Sequence, residues 1–442
     1  MKRKILLSVF LVLFFVVSLT FSLGMVAFGE SKAGGNEVLS NAPQLKAEDG
    51  SLNRNFLADL SSWINDRFFL RQEMITLDNV VTAQGFGASG EKKVIVGKDG
   101  WLFFNDTLDD YTGTQSLTER ELFGVIKNIQ LMDEYCKLNG RDFAFVIAPN
   151  KNSVYGEFMP DYGVKSDYRD ALKVMAVLKQ SGVKTPDLFD AIGSADEQVY
   201  FKHDSHWNSK GAALGADVIN KTFGKNTDFF SGEFSKSRVN EGDLYSMLYP
   251  ALRDTEIDWC LEGKRDFEFT GTGKTPTSIT ITTQSNKDGK LLAYRDSFGS
   301  LLFPYLAESY GECYFSRKTA YDLTIESDYV MVEIVERNLD YLLKYAPIMP
   351  SPEREVTVPT NSSGKVSLKK NVGGSMPEGY KRIEGVLPIT PDNDTSVYVI
   401  SNGTVYEAFV SRNNGFVAYI PESAEAQSVV FGANGEFVRY DF

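Results

Sequence analysis

Both histidines of this 442-residue chain fall in one short stretch, Tyr200-Phe-Lys-His203-Asp204-Ser205-His206-Trp207-Asn208. Imidazole is the side chain that exchanges protons freely near neutral pH, so any histidine acid–base chemistry belongs here. Asp204, two residues before His206, is placed to hold and polarise that ring. Far downstream, Arg295-Asp296-Ser297-Phe298-Gly299 offers a serine between a strand and a helix. A serine hydroxyl attacks well only when a base takes its proton. His206 can be that base if the fold brings the two together, with Asp204 fixing the tautomer. Backbone N–H groups at the start of the following helix can face a developing oxyanion, the Ser297 N–H among them.

Plainer readings compete with each of these residues. An Asp-Ser pair before a helix also serves as an N-cap. His203, Asp204 and His206 also make a metal-ligand set, but there is no third histidine and no neighbouring cysteine or glutamate pair. The reading therefore assigns no metal and no cofactor. His203 is read as a supporting or surface residue, Trp207 as core or a lid packed over the loop, and Arg295 as a bridge to Asp296.

The elements that must position these groups alternate. A capping box, Thr118-Glu-Arg-Glu121, opens a helix that Asn139-Gly140 ends. The apolar run 143–148 reads as a strand buried on both faces. A helix over 168–180, a short strand over 198–201 and a helix over 210–223 follow. Then come a strand over 290–294, a helix over 300–310, a strand over 329–335 and a helix over 338–345. Such alternation implies a mostly parallel sheet with helices on both faces, and such sheets carry their reactive loops at the carboxyl ends of strands. The polar, Thr-rich stretch 224–290 breaks the rhythm and reads as an insertion. Earlier, spaced apolar residues over 56–80 predict an amphipathic helix. Lys98-Asp99-Gly100 predicts the turn of a hairpin over 94–104.

Pro347, Pro350 and Pro352 mark a boundary, beyond which 353–442 reads as a small β-sandwich. Its strands are expected at 356–358, 366–368, 396–400, 405–410, 416–420, 428–431 and 437–440. Turn pairs Asn402-Gly403, Asn414-Gly415 and Asn434-Gly435 punctuate them. Tyr380, Tyr398, Tyr406, Phe416 and Tyr419 are available either to stack on sugars or to fill a core. At the other end, Met1-Lys-Arg-Lys4 precedes an apolar run over 5–28. Residues 1–29 thus read as a membrane anchor or a secretory signal, and 30–48 as a linker. An uncleaved anchor would leave the basic end inside and everything after Glu30 outside. The net charge of −13 argues against nucleic acid as a partner. Three cysteines, an odd number without metal spacing, imply no disulfide framework.

Asp204-Ser-His206-Trp207 resembles the Asp-x-His-Trp signature of the alginate O-acetyltransferase group of SGNH-hydrolase-like proteins, the AlgX/AlgJ-like or DHHW family. Asp296-Ser297-Phe298 looks like that family's nucleophile block. Further pieces match in order: Asp66-Arg67-Phe68 with Arg71, Gly97-Lys-Asp-Gly-Trp101-Leu-Phe, Pro149-Asn150-Lys151 with Val154-Tyr155, and Glu333 with Glu336-Arg337. The resemblance spans about 50–347. Ser205 stands where the family more often has His or Thr.

The resemblance implies a flavodoxin-like α/β/α sandwich with circularly permuted motif order as catalytic domain, over 49–347, followed by the all-β domain. It implies Ser297 as nucleophile, His206 as general base, Asp204 as its orienter, and an acetyl-serine intermediate resolved by a sugar hydroxyl. Asn150 is the candidate oxyanion donor, with Lys151, Tyr155 and Arg337 as candidate oxyanion or substrate residues. The expected partners are an extracellular polysaccharide and a membrane-bound O-acyltransferase supplying the acetyl group. The expected place is the extracytoplasmic face of a bacterial membrane, anchored or secreted. A carbohydrate acetylesterase with the same triad, or a non-catalytic polysaccharide-binding or assembly protein, remains an alternative.

Overall fold

The computed structural model describes residues 8–442 other than 13, 17–19, 21–23, 26, 34–36, 48, 115, 163–165, 167–168, 264 and 370–372. Much of the apolar run expected as an anchor lies outside the described residues. Among the described residues no helix is long and apolar enough to cross a membrane.

Strands β1 (Val94–Val96) and β2 (Leu102–Phe104) form the expected antiparallel hairpin. Its turn places Asp99 and Gly100 at φ 52° and 81°, which glycine and aspartate tolerate better than bulky residues. The central sheet uses β3 (Asp142–Ala148), β6 (Phe267–Phe269), β7 (Thr280–Ser285), β8 (Lys290–Tyr294), β9 (Glu312–Ser316) and β10 (Tyr329–Val335). A separate two-stranded ribbon joins β4 (Phe234–Asn240) to β5 (Glu256–Leu261). The order across the central sheet is β3-β10-β8-β9-β7-β6. The first four strands are parallel, and β7 and β6 extend the edge antiparallel. So the 224–290 stretch is no mere excursion: two of its strands complete the sheet.

Successive residues of β3 face opposite layers. Phe143, Phe145 and Ile147 pack with helices Glu119–Leu138 and Asp170–Gln180, and Ala144, Val146 and Ala148 with helices Ser209–Thr222 and Gly299–Ala307. Burial on both faces explains why this strand reads as an unbroken apolar run. The Thr118 capping box forms as expected. Small residues on Ser209–Thr222 allow a close approach to its neighbours. A Cβ on Gly211 would lie 2.2 Å from the Val199 carbonyl oxygen.

The helix expected over 56–80 is two, Phe56–Arg67 and Arg71–Phe86, broken where Leu70 turns left-handed (φ 61°). The turn presents Phe69 to Phe28, ring centroids 5.1 Å apart. The second helix is inside out. It buries Gln72, Thr76 and Asn79 and leaves Met74, Leu77 and Val81 exposed. The buried polar groups are hydrogen-bonded: Asn79 Nδ2 donates to the Leu248 carbonyl at 2.7 Å, and Thr76 Oγ1 accepts from Ala251 N–H at 2.9 Å.

Beyond the prolines lies a separate antiparallel domain. It comprises β11 (Glu353–Arg354), β12 (Tyr380–Val386), β13 (Val397–Ser401), β14 (Thr404–Ser411), β15 (Gly415–Pro421), β16 (Ser428–Ala433) and β17 (Glu436–Asp441). The order is β12-β15-β14-β13-β16-β17, with β11 added to β14. Because β14 pairs with β13 through its first half and with β15 through its second, the sheet folds over around its own core. β12 was not expected, and its Lys381, Arg382 and Glu384 explain why. The 366–368 strand is reduced to isolated bridges at Lys365 and Leu368, and 356–358 forms none. Tyr406, Phe416 and Tyr419 are buried, so these three fill the core and cannot stack on sugars. Buried Asn128 fastens the domain: its side-chain amide donates to the Leu342 and Val410 carbonyls, both at 2.9 Å, and accepts from Val410 N–H at 3.0 Å.

Candidate active site

Adjacent strands β3, β10 and β8 end side by side. Their carboxyl ends deliver Asn150-Lys151, Glu336-Arg337 and Asp296-Ser297 respectively. The turn after β8 is pinned through Asp296. One carboxylate oxygen accepts Phe298 N–H and the other Val335 N–H, both at 2.8 Å. Asp296 N–H donates to buried Glu333 at 3.1 Å. Burial, and then the Asp296 charge, push the Glu333 carboxyl well above its ordinary range. Arg295 is buried and spans the Pro276 and Ser278 carbonyls and Ser300 Oγ, at 3.0 to 3.2 Å. This is a wider role than bridging to Asp296.

The strand expected at 198–201 does not form. The segment bends back on itself through a single Tyr200–Trp207 bridge, with Phe201 N–H on the His206 carbonyl and Asn208 N–H on that of Val199. The Lys202 carbonyl accepts Leu102 N–H of β2 and the His203 carbonyl accepts Tyr245 N–H, and side chains hold much of the rest. Lys151 Nζ donates to the carbonyls of Phe201, Lys202 and Asp204 at 3.1, 2.9 and 2.6 Å. Glu256 accepts Lys202 and His203 N–H at 2.7 and 2.9 Å. Asn208 then caps helix Ser209–Thr222.

The bent loop carries its imidazole to the serine. His206 Nε2 lies 2.9 Å from Ser297 Oγ, and His206 Nδ1 lies 2.7 Å from Asp204 Oδ1. Asp204 also accepts His206 N–H at 3.0 Å and, on its other oxygen, Asp243 N–H at 3.1 Å. Burial alone would raise the Asp204 carboxyl; the His206 hydrogen bond and charge overcome it and hold Asp204 well below the usual carboxylate range. Burial works against the His206 imidazolium too. The Asp204 hydrogen bond and charge, with the Asp243 charge, outweigh it and hold the ring above its ordinary pKa.

The stretch 240–258 clamps this loop from outside. Asn240 reaches Asp204 at 3.4 Å, Asp243 holds Ser205, Asp254 holds the His203 ring at 2.8 Å, and Asp258 holds Ser209. Sequence reasoning missed all four. They are ordinary polar residues in a stretch without periodicity, and only the fold brings them to the loop. Two groups, His203/Asp254/Glu256 and Asp204/His206/Asp243, have potential ligand atoms within 4.8 Å of one another. In both, the carboxylates already accept backbone N–H groups of the loop and its clamp.

The tentative residues divide. Asn150 and Arg337 meet: Arg337 donates to Asn150 Oδ1 at 3.1 Å and stacks over the Phe298 ring, next to Ser297. Asn150 Nδ2 is turned to Asp110 at 3.3 Å and its N–H to Glu336 at 3.0 Å. Lys151 and Tyr155 are elsewhere. Lys151 lies buried beneath the histidine loop, and Tyr155 accepts Val199 N–H at 2.9 Å while stacking on Trp101. Lys151 is taken up by the loop, and the Tyr155 hydroxyl by Val199. Burial brings the Lys151 ammonium down to about 7 against the pull of Asp204, Asp243 and Glu256. Burial, and then Glu336, push the Asp110 carboxyl up to about 8.

Residues 94–252 match the family described as "SGNH hydrolase-like domain, acetyltransferase AlgX". A Pseudomonas putida protein named "Probable alginate O-acetylase AlgJ" is 24% identical over 242 residues, 52% of this chain and 60% of its own length. Its Pseudomonas aeruginosa namesake is 28% identical over 173 residues, 36% of this chain and 42% of its own. The chain thus spans less than two thirds of either relative. Among solved structures, the O-acetyltransferase domain of Pseudomonas putida AlgJ is 19% identical over 56% of this chain and 91% of its own, with a TM-score of 0.38. A score that low carries no weight for the roles of individual residues.

Proposed function

We propose that this chain, which is similar to the AlgX/AlgJ-like SGNH hydrolase-like acetyltransferases, moves acetyl groups onto an extracellular polysaccharide. Ser297 Oγ attacks the acetyl carbonyl carbon while His206 Nε2 takes the hydroxyl proton, and the donor's leaving group departs with that proton. A sugar hydroxyl then attacks the acetyl-serine, His206 again takes the proton, and Ser297 Oγ leaves protonated. Asp204 keeps the ring in the tautomer whose Nε2 can accept. The Ser297 N–H and the Arg337 guanidinium supply donors for the oxyanion, while Asn150, whose amide is turned to Asp110, holds Arg337 in place.

The acetyl donor is a membrane-bound O-acyltransferase, and the work is done at the extracytoplasmic face, with the apolar segment 5–28 as tether. The observation that carries the reading is the unbroken relay Ser297 Oγ, His206 Nε2, His206 Nδ1, Asp204 at 2.9 and 2.7 Å. The test is to incubate the full-length protein with p-nitrophenyl acetate, with and without an oligosaccharide acceptor. Acetylated sugar and an acetylated Ser297 peptide, both lost in Ser297→Ala, are the expected result. Free acetate alone identifies an acetylesterase, and absence of any acyl-enzyme overturns the enzymatic reading.

A further inference from the structure

The His206 ring has a second carboxylate behind it. Asp243 opens the short helix Asp243–Leu248 within the clamp, and its side chain takes both donors of Ser205: Oδ1 accepts the Ser205 N–H at 2.7 Å and Oδ2 the Ser205 Oγ–H at 2.6 Å. The same Ser205 Oγ stands 3.3 Å from His206 Nδ1, and Asp243 Oδ2 stands 3.8 Å from that nitrogen. Asp243 also gives its own N–H to Asp204 Oδ2. One residue therefore touches the orienting carboxylate, the residue between it and the histidine, and the surroundings of the ring.

We propose that Asp243 is a positioning residue, a second carboxylate that orients the His206 imidazole through Ser205 and stabilises its charged form; the proposal rests on the acetyl-transfer reading for its catalytic consequence only. The charged groups facing His206 are Asp204 from its own loop, Asp243 from the clamp and Arg337 from the segment after β10. Lys151, beneath the loop, is held by three carbonyls. Two anions thus oppose one cation around the ring. Asp204 contributes most of the anionic field, Arg337 opposes it more weakly, and Asp243 tips the balance further toward the imidazolium that forms in each half-reaction. Ser205 is the means of holding Asp243 there, since its hydroxyl and N–H fix both carboxylate oxygens.

Because the chain has two histidines, selectively labelled imidazoles give two resolvable NMR titrations, independent of any activity. In Asp243→Asn, which keeps the size and shape of the side chain, the His206 midpoint is expected to fall by about one unit. The acid limb of kcat/KM for acetyl-serine formation should move down by the same amount. Ser205→Ala, which leaves the charge nearby but unfastens it, should lower kcat severalfold with a smaller midpoint shift, and Asp243→Glu should restore much of the midpoint. A His206 midpoint unchanged in Asp243→Asn overturns the proposal, even if activity falls. A shifted midpoint in a protein whose Ser297 is never acetylated upholds the electrostatic role and rejects the acetyl-transfer reading.

Discussion

Trp207 donates its indole N–H to the carbonyl of Phe298 at 3.0 Å, across 91 residues of chain. Each of the two follows directly on a member of the candidate relay, Trp207 on His206 and Phe298 on Ser297. The bond therefore ties the two blocks one residue away from where they react. Trp207 and Phe298 are also fully buried and meet edge to face, ring centroids 5.1 Å apart. The His206–Ser297 distance is thus set by a rigid aromatic contact and one hydrogen bond, while the reacting pair itself is left to exchange its proton.

Asp204→Asn keeps the outline of the loop but puts an amide where the His206 Nδ1 proton points, favouring the wrong tautomer. A loss of about 10³ to 10⁴-fold in kcat is expected, measured on acetyl-serine formation. In the unmodified protein the rate should rise with pH through the His206 midpoint, which lies above its usual value because Asp204 and Asp243 hold the ring charged.

Lys151→Met removes the three donors that hold the carbonyls of Phe201, Lys202 and Asp204. With those acceptors left inside the protein, a loss on the order of 3 kcal/mol is expected, read as a lower denaturation midpoint. Activity should fall with it, because the loop that carries His206 loses its underside. An unchanged midpoint would contradict the supporting role given to this residue.

Asp110→Asn should act in the opposite sense. The Asp110 carboxyl, pushed up to about 8 by burial and by Glu336, holds its proton in the folded state over a range where the unfolded chain has lost it. Stability is therefore given up as pH rises from about 4 toward 8. An asparagine cannot ionise, so the variant should be more stable than the parent at pH 9, by as much as about 5 kcal/mol. The advantage should vanish near pH 4. Thermal melts at the two pH values decide it.

Asn128→Ala strands the Leu342 and Val410 carbonyls and the Val410 N–H in a dry contact between the α/β domain and β14. A cost of about 3 kcal/mol is expected. Among the bridges that survive at this boundary, Arg354 to Glu134 and Lys127 to Glu407 are ionic. The variant's two domains should therefore melt in separate steps whose spacing depends on salt.

What could be read in advance follows from how local each signal is. The run 143–148 and the Thr118–Glu121 box describe themselves, because burial on both faces and reciprocal capping leave their mark within a few residues. Asn402-Gly403 and Asn434-Gly435 turn as expected, but the third turn has its positive φ angles at Asn413 and Asn414, one position early. That the helix Arg71–Phe86 is inside out could not be read in advance, because periodicity shows that a helix has two faces and not which one finds a partner. Within the site, Asp204, His206 and Ser297 stood out through residue type, whereas Asp243 and Asp258 carry no local mark. Lys151 and Tyr155 were legible as motif residues, but only the fold shows that they serve the loop.

The clamp over 240–258 also bears on transplantation. Asp204-Ser-His206-Trp207 is short enough to graft onto another α/β scaffold, and such a graft would reproduce the motif to the letter. It would arrive without Asp243 on Ser205, Glu256 on the Lys202 and His203 amides, Asp258 on Ser209, or Lys151 beneath. The smallest unit that can be moved with its histidine in working order is therefore not the four-residue motif. It is the loop together with a stretch more than thirty residues downstream and a lysine some fifty residues upstream.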